Sequence, residues 1–177
     1  MLQHHDKDGD KCISDEEASY VTEIQDNAFN VREQFYHMRD ESEFKNLPCP
    51  SGLNDLNNFR NLRTIGEQAF FYCMKLESVK LDYVESVGKN AFKLCGNVKE
   101  IVMPELKKIG NGAFVTKSNL ERVEFTTTHG IETEEYVFYG NSCPKLLILD
   151  EHMKSAVNEG KIPWINKTEC NEIRYIK

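Results

Sequence analysis

The chain is predicted to be an α/β repeat protein, a solenoid of about five stacked coils, and three observations predict it. First, the stretch 65–125 writes nearly the same phrase three times: IGEQAFFYCMKLESVKL, VGKNAFKLCGNVKEIVM and IGNGAFVTKSNLERVEF. Second, five columns recur at an interval of 22: Ile65/Val87/Ile109, Ala69/Ala91/Ala113, Phe70/Phe92/Phe114, Leu76/Val98/Leu120 and Val79/Ile101/Val123. Third, each phrase ends in a short alternating run such as Leu76-x-x-Val79-x-Leu81, in which residues 79 and 81 share one face of a strand. A period of roughly 20–29 with a leucine-type strand marks a leucine-rich-repeat solenoid, here with a period of about 22–23. The expected architecture is therefore short parallel strands, an N-terminal helical cap and a C-terminal cap.

The residue types in one phrase follow from stacking. The aliphatic columns line the inside of a parallel ladder. Ala lets the next coil approach, and Phe fills the interior. The glycines after each Ile or Val (Gly66, Gly88 and Gly110) suit a turn with positive φ. No coil buries its own apolar face alone, so the coils must stack to make a core.

Residues 1–20 form the first segment. Asp6–Glu17, DKDGDKCISDEE, matches the Ca²⁺ loop of EF-hand proteins. Asp6, Asp8 and Asp10 take loop positions 1, 3 and 5. Cys12 offers a backbone carbonyl, Ser14 acts directly or through water, and Glu17 is the bidentate carboxylate. Ser14 with Glu17 also reads as a capping box for an exiting helix. Two features depart from the pattern: Lys11 stands where Gly should make the turn, and only Met1–His5 precede the loop. It therefore resembles the single calcium motifs of dockerin-like and bacterial surface modules more than a paired EF-hand.

Residues 21–62 form a degenerate first coil and cap. Ile24-x-x-x-Ala28-Phe29 copies the spacing of Ile65-x-x-x-Ala69-Phe70. Val31, Phe35 and Met38 make one stripe of a helix, a candidate cover for the first coil. Pro48 to Gly52 breaks the chain, and Leu53, Leu56, Phe59 and Leu62 re-enter at roughly helical spacing. Residues 63–149 hold the repeats. After Phe125 the period stretches: Ile131 keeps the 22 spacing from Ile109, Val137-Phe138 comes two residues late, and Cys143 and Leu146 follow. The TTTHG and ETEEY segments are the expected insertions. Residues 150–177 form the far cap, a short helix stopped by Gly160 and Pro163, then Trp164 and an alternating Ile173-Arg-Tyr175.

The I-G-x-x-A-F-x-x-C-x-x-L-x-x-V-x-L pattern resembles the BspA-like, or Treponema-type, class of leucine-rich repeats, closely over 65–125 and more loosely to 149. That resemblance implies a secreted or cell-surface binding scaffold, of the kind used in adhesion to host proteins or other cells. The opening MLQHHDKDGD is polar and acidic and does not read as a signal peptide, which leaves a cytosolic protein or a trimmed mature chain, and the resemblance implies the second.

Composition narrows the function classes. The net charge is −7, and residues 1–47 carry all of it, with 12 acids against 5 bases; the rest has 17 of each. No basic patch points to nucleic acid, and no apolar run approaches the length of a membrane helix. Cys73 and Cys95 share a column and read as buried free thiols, with a 73–95 disulfide geometrically conceivable between adjacent coils. The five His stand in no nucleophile or metal pattern, and Asn166-Lys-Thr168 is a glycosylation sequon. No active site assembles.

The outward strand face is the natural ligand surface, with columns Ser78/Glu100/Arg122 and Lys80/Val102/Glu124 beside Glu77/Lys99/Glu121, which alternates in sign. Phe71-Tyr72 is a possible aromatic contact on another wall. Two functions fit: a monomeric, non-catalytic module recognising protein or glycan at a cell surface, with Ca²⁺ as its one candidate ion, or a structural spacer of a larger envelope protein.

Overall fold

The computed structural model describes residues 14–30, 55–116, 118–134, 136–139, 144–166 and 170–177. The predicted helix around Val31, Phe35 and Met38, the loop acids Asp6, Asp8 and Asp10, and Cys12, Cys49 and Cys143 lie outside them. The elements run α1 (Asp15–Ser19), β1 (Glu23–Ile24), β2 (Thr64–Ile65), β3 (Ser78–Lys80), β4 (Ser86–Val87), β5 (Glu100–Val102), β6 (Lys108–Ile109), β7 (Arg122–Phe125), β8 (Glu132–Thr133), β9 (Leu146–Asp150), α2 (Met153–Asn158), α3 (Pro163–Asn166) and β10 (Glu172–Ile176).

The strands form two parallel sheets, ordered β1-β2-β4-β6-β8 and β10-β9-β7-β5-β3. Four coils place a strand in each sheet (β2/β3, β4/β5, β6/β7 and β8/β9), and β1 and β10 add one strand at either end, so the chain winds through about four full turns. The degenerate first coil is real: Ile24 pairs with Ile65, and the Phe29 ring stacks on Phe70. The approach to β2 is turns rather than helix, yet Leu56, Phe59 and Leu62 are buried as their apolar character requires.

A third wall joins the sheets. Its N–H groups bond from one coil to the next: Gln68 to Lys89, Phe70 to Ala91, and Tyr72 to Lys93, all at 2.8–2.9 Å. Left-handed backbone at Asn27, Gln68, Asn90 and Gly112, with φ between 54° and 68°, accompanies these bonds. Each of those four residues donates its N–H to a carbonyl of the following coil. Tyr72 and Leu94 repeat the device four residues on.

The positive φ expected at Gly66, Gly88 and Gly110 therefore falls two residues later. Those glycines are needed for a different reason. A Cβ on Gly66 would lie 2.4 Å from the Asp26 nitrogen, on Gly88 2.6 Å from the Glu67 nitrogen, and on Gly110 2.5 Å from the Lys89 nitrogen. Backbone touches backbone there, and no side chain fits.

The interior is one continuous cluster. All twelve residues of the Ala, Phe, Leu and Val columns in the three phrases are at most 1 % exposed. Phe29, Phe70, Phe92, Phe114 and Phe138 stack in line at 5.1–5.6 Å, and Trp164 closes the column 5.5 Å beyond Phe138. Cys73 and Cys95 are buried, and their sulfurs donate to the Phe29 and Phe70 carbonyls of the preceding coils. Met153, Ile162, Trp164 and Ile165 extend the core past the last coil. Gly160, with φ +68°, ends α2, and Lys161 N–H reaches back to Ala156.

The late coil corrects the expected phase. Ile109 pairs with Thr133, not Ile131, and Val123 with Leu147. The step from Val79 to Val87, or Ile101 to Ile109, is 8 residues, whereas Val123 to Thr133 is 10. Two extra residues at the corner 126–131 account for the whole stretch, and ETEEY adds none. Val137 and Phe138 then take the Ala and Phe columns, and Leu147 rather than Leu146 points inward.

These contacts separate the two reasons for glycine. Gly88→Ala is expected to cost about 1–3 kcal/mol by overpacking. Asn90→Gly, where φ is 55°, should stay within about 1 kcal/mol of the parent, because relief of the left-handed backbone opposes the looser unfolded chain. Chemical denaturation of both variants checks this, and an unchanged midpoint for Gly88→Ala would refute the close-approach account.

Candidate functional site

Parallel pairing brings the predicted ligand face together. Ser78 pairs with Glu100 and Glu100 with Arg122, while Lys80 pairs with Val102 and Val102 with Glu124. Between the two columns Val79, Ile101 and Val123 turn inward and are fully buried. The period-2 pleat thus places all six candidate residues on the outer face of β3, β5 and β7.

Side chains on this face are tied to one another. Lys80 Nζ lies 2.8 Å from Glu100 Oε2, Arg122 lies 2.5 Å from Glu100 Oε1, and Arg122 also pairs with Glu124. The result is a diagonal run, Lys80–Glu100–Arg122–Glu124, across three strands. The Lys80 ammonium, helped by Arg122, holds the Glu100 carboxyl below the usual carboxylate range, while burial pulls the other way.

The expected ladder Glu77/Lys99/Glu121 is joined by backbone instead: Lys99 N–H donates to the Glu77 carbonyl and Glu121 N–H to that of Lys99. Among the described residues no ion pair links these three side chains. A sign-alternating column that does pair is Arg63/Glu85/Lys107, with Lys107 Nζ 2.9 Å and Arg63 4.0 Å from the Glu85 carboxylate. The sequence reading did not single it out, although its spacing is the same 22.

An open groove of about 480 Å³ runs over the outer face, lined by Asp55, Glu77, Ser78, Lys99, Glu100, Glu121 and Arg122. It unites the column of Ser78, Glu100 and Arg122 with that of Glu77, Lys99 and Glu121. Lys80, Val102 and Glu124 lie along the strands outside the lining. Asp55 was not predicted, because it precedes the three in-phase phrases and shares no column with them. Four carboxylates face two cations in the groove, so what it presents is charge rather than apolar surface. Phe71 is buried and Tyr72 half-buried, which removes Phe71 as a ligand contact.

Of the calcium residues, Ser14 and Glu17 are described. Ser14 donates both its N–H and its hydroxyl to Glu17 Oε2, at 2.9 and 2.8 Å, and Glu17 N–H donates to Ser14 Oγ. This is the capping box of α1. Among the described residues no group of three or more His, Cys, Asp or Glu gathers as a metal site, and no helix is long and apolar enough to cross a membrane.

Comparison with known proteins agrees with the geometry. The profile of a family described as a BspA type leucine rich repeat region, in six copies, matches residues 40–156. No curated protein and no solved structure matches the chain.

The diagonal charge run makes a pH-dependent prediction. Glu100 titrates lower folded than unfolded, so its pairs contribute stability above the unfolded value and lose it as pH falls through the folded one. Glu100→Gln is expected to cost about 1 kcal/mol at neutral pH and progressively less below the ordinary carboxylate range. Thermal melts of both proteins across that range measure it, and a pH-independent difference would contradict the pairing.

Proposed function

This chain belongs to the BspA-type leucine-rich-repeat family, and on that premise we propose that it is a non-catalytic recognition module of a secreted or cell-surface protein, binding protein or glycan through the outer face of β3, β5 and β7. Repeats of this family make interaction modules. The observation that carries the rest is the groove, where Glu77, Lys99 and Glu121 present charges just ahead of successive strands with, among the described residues, no ion pair to one another. A partner with the opposite pattern would meet charge with charge, and binding of that kind is steered and salt-sensitive. The domain scheme of calcium loop (1–20), first coil and cap (21–62), repeats (63–149) and far cap (150–177) is part of this reading.

A screen of the purified protein against glycan and host-protein arrays tests the proposal. Lys99→Glu and Arg122→Glu should each weaken a hit about tenfold or more, and raised salt should weaken it further. A hit indifferent to both substitutions places recognition elsewhere. No hit at all favours the second reading, a spacer, which the internally paired run Lys80–Glu100–Arg122–Glu124 supports.

Calcium belongs to the same proposal. Asp6, Asp8, Asp10, the Cys12 carbonyl, Ser14 and Glu17 supply the oxygen set a hard cation takes. An ion would draw Glu17 away from its bonds with Ser14, and Lys11 opposes the turn, so binding should be weak, on the order of 10⁻⁴–10⁻³ M. Glu17→Gln keeps a capping-box partner while removing the charge. Calorimetric titration should show heat for the parent and none for Glu17→Gln; equal, negligible heats would leave only the capping box.

A further inference from the structure

The two sheets end in four strand edges, and these are unequal. β1 and β8 are two residues long and β3 is three, with Asp55 beside it in the groove. β10 runs five residues, Glu172–Ile176, and among the described residues it pairs only with β9. It holds neither proline nor glycine, the residues that ordinarily blunt an edge or interrupt a strand.

Its hydrogen-bond phase is defined. Glu172 N–H donates to Lys145, and the Ile176 carbonyl accepts from Glu151 N–H. Residues 172, 174 and 176 therefore turn their backbone groups toward β9. Ile173 and Tyr175 turn theirs to the open side. Their side chains are only partly buried against the core, and Ile176 is 36 % exposed. The outward side chains are Glu172, Arg174 and Ile176, of which Glu172 and Arg174 pair with each other at 2.7 Å.

We propose that this edge joins two copies of the chain, β10 against β10, antiparallel about a two-fold axis at Ile173. Hydrogen-bonded partners in an antiparallel pair must both point across the gap, so Ile173 and Tyr175 set the allowed registers. Ile173 opposite the partner's Ile173 puts Glu172 opposite the partner's Arg174, twice by symmetry. Two unlike-charge pairs then flank an apolar pair. The neighbouring register, Ile173 opposite Tyr175, places Arg174 against Arg174 and is repulsive. The favoured arrangement continues the five-stranded sheet into one of ten strands and turns the two groove-bearing faces into a single longer surface. The monomer expected from the sequence is replaced by a reversible dimer.

One strand pair is a small interface, so the dimer should be weak, with a dissociation constant on the order of 10⁻⁴ M. Sedimentation equilibrium of the full chain over a concentration series up to about ten times that value reads it. Arg174→Glu sets Glu against Glu and should leave a monomer throughout the series. The double variant Glu172→Arg with Arg174→Glu restores both pairs and should restore the dimer. Ile173→Pro removes an N–H that faces the open side, so it should abolish the dimer, with the thermal midpoint lowered only by the lost packing of one half-buried side chain. A parent that stays monomeric to the top of the series overturns the proposal. So does a dimer that survives Arg174→Glu, or a double variant that fails to recover it.

Discussion

Everything in this molecule is built to one rise, the spacing of about 4.7–4.9 Å between hydrogen-bonded strands. Three ladders enforce it, two sheets and the wall of turns between them. A side chain either repeats at that rise or is excluded. Phenylalanine repeats: neighbouring rings lie 5.1–5.6 Å apart, slightly offset and nearly parallel through Phe138. Alanine repeats because its methyl group fits between coils. At Gly66, Gly88 and Gly110 even a methyl group has no room. The register of the whole solenoid is thus redundant, since a slip in any column would misplace all the others.

The same rise governs the surface. Charges one coil apart are close enough to pair, and the chain uses that spacing on two walls. Arg63, Glu85 and Lys107 pair straight up their column, whereas in the other run Lys80 reaches Glu100 diagonally, Glu100 meets Arg122 within its column, and Arg122 meets Glu124 along its own strand. Exposed pairs of this sort contribute little individually. Their larger effect is on availability: a carboxylate held by an arginine of the next coil is less free to meet a partner, which is why Glu77, Lys99 and Glu121 stand out in the groove.

Much of this was legible in the sequence, for a physical reason. A buried column tolerates few residue types, so Phe29, Phe70, Phe92 and Phe114 advertise themselves at fixed spacing, and so do the thiols of Cys73 and Cys95. The glycines announced their positions but not their cause, because a periodic glycine looks alike whether φ or crowding demands it. The left-handed backbone at Gln68, Tyr72 and Leu94 left no mark, since those residue types seldom adopt it. Ile131 misled because it kept the period while two extra residues moved its place in the ladder to Thr133. On the candidate face the columns could be read from spacing. Which charges pair could not, because long side chains reach diagonally, and Asp55 enters the groove from ahead of the three in-phase phrases.

The corner at 126–131 shows where this architecture can absorb change. It carries two more residues than its counterparts, yet Val137, Phe138 and Leu147 return to their columns as though nothing had been added. Gly130 has no atom within 4 Å of the position its Cβ would occupy. Length at that corner is decoupled from the core. Descendants of this chain could lengthen it into a loop of their own, and an engineer could graft a foreign epitope there, without renegotiating the stack beneath.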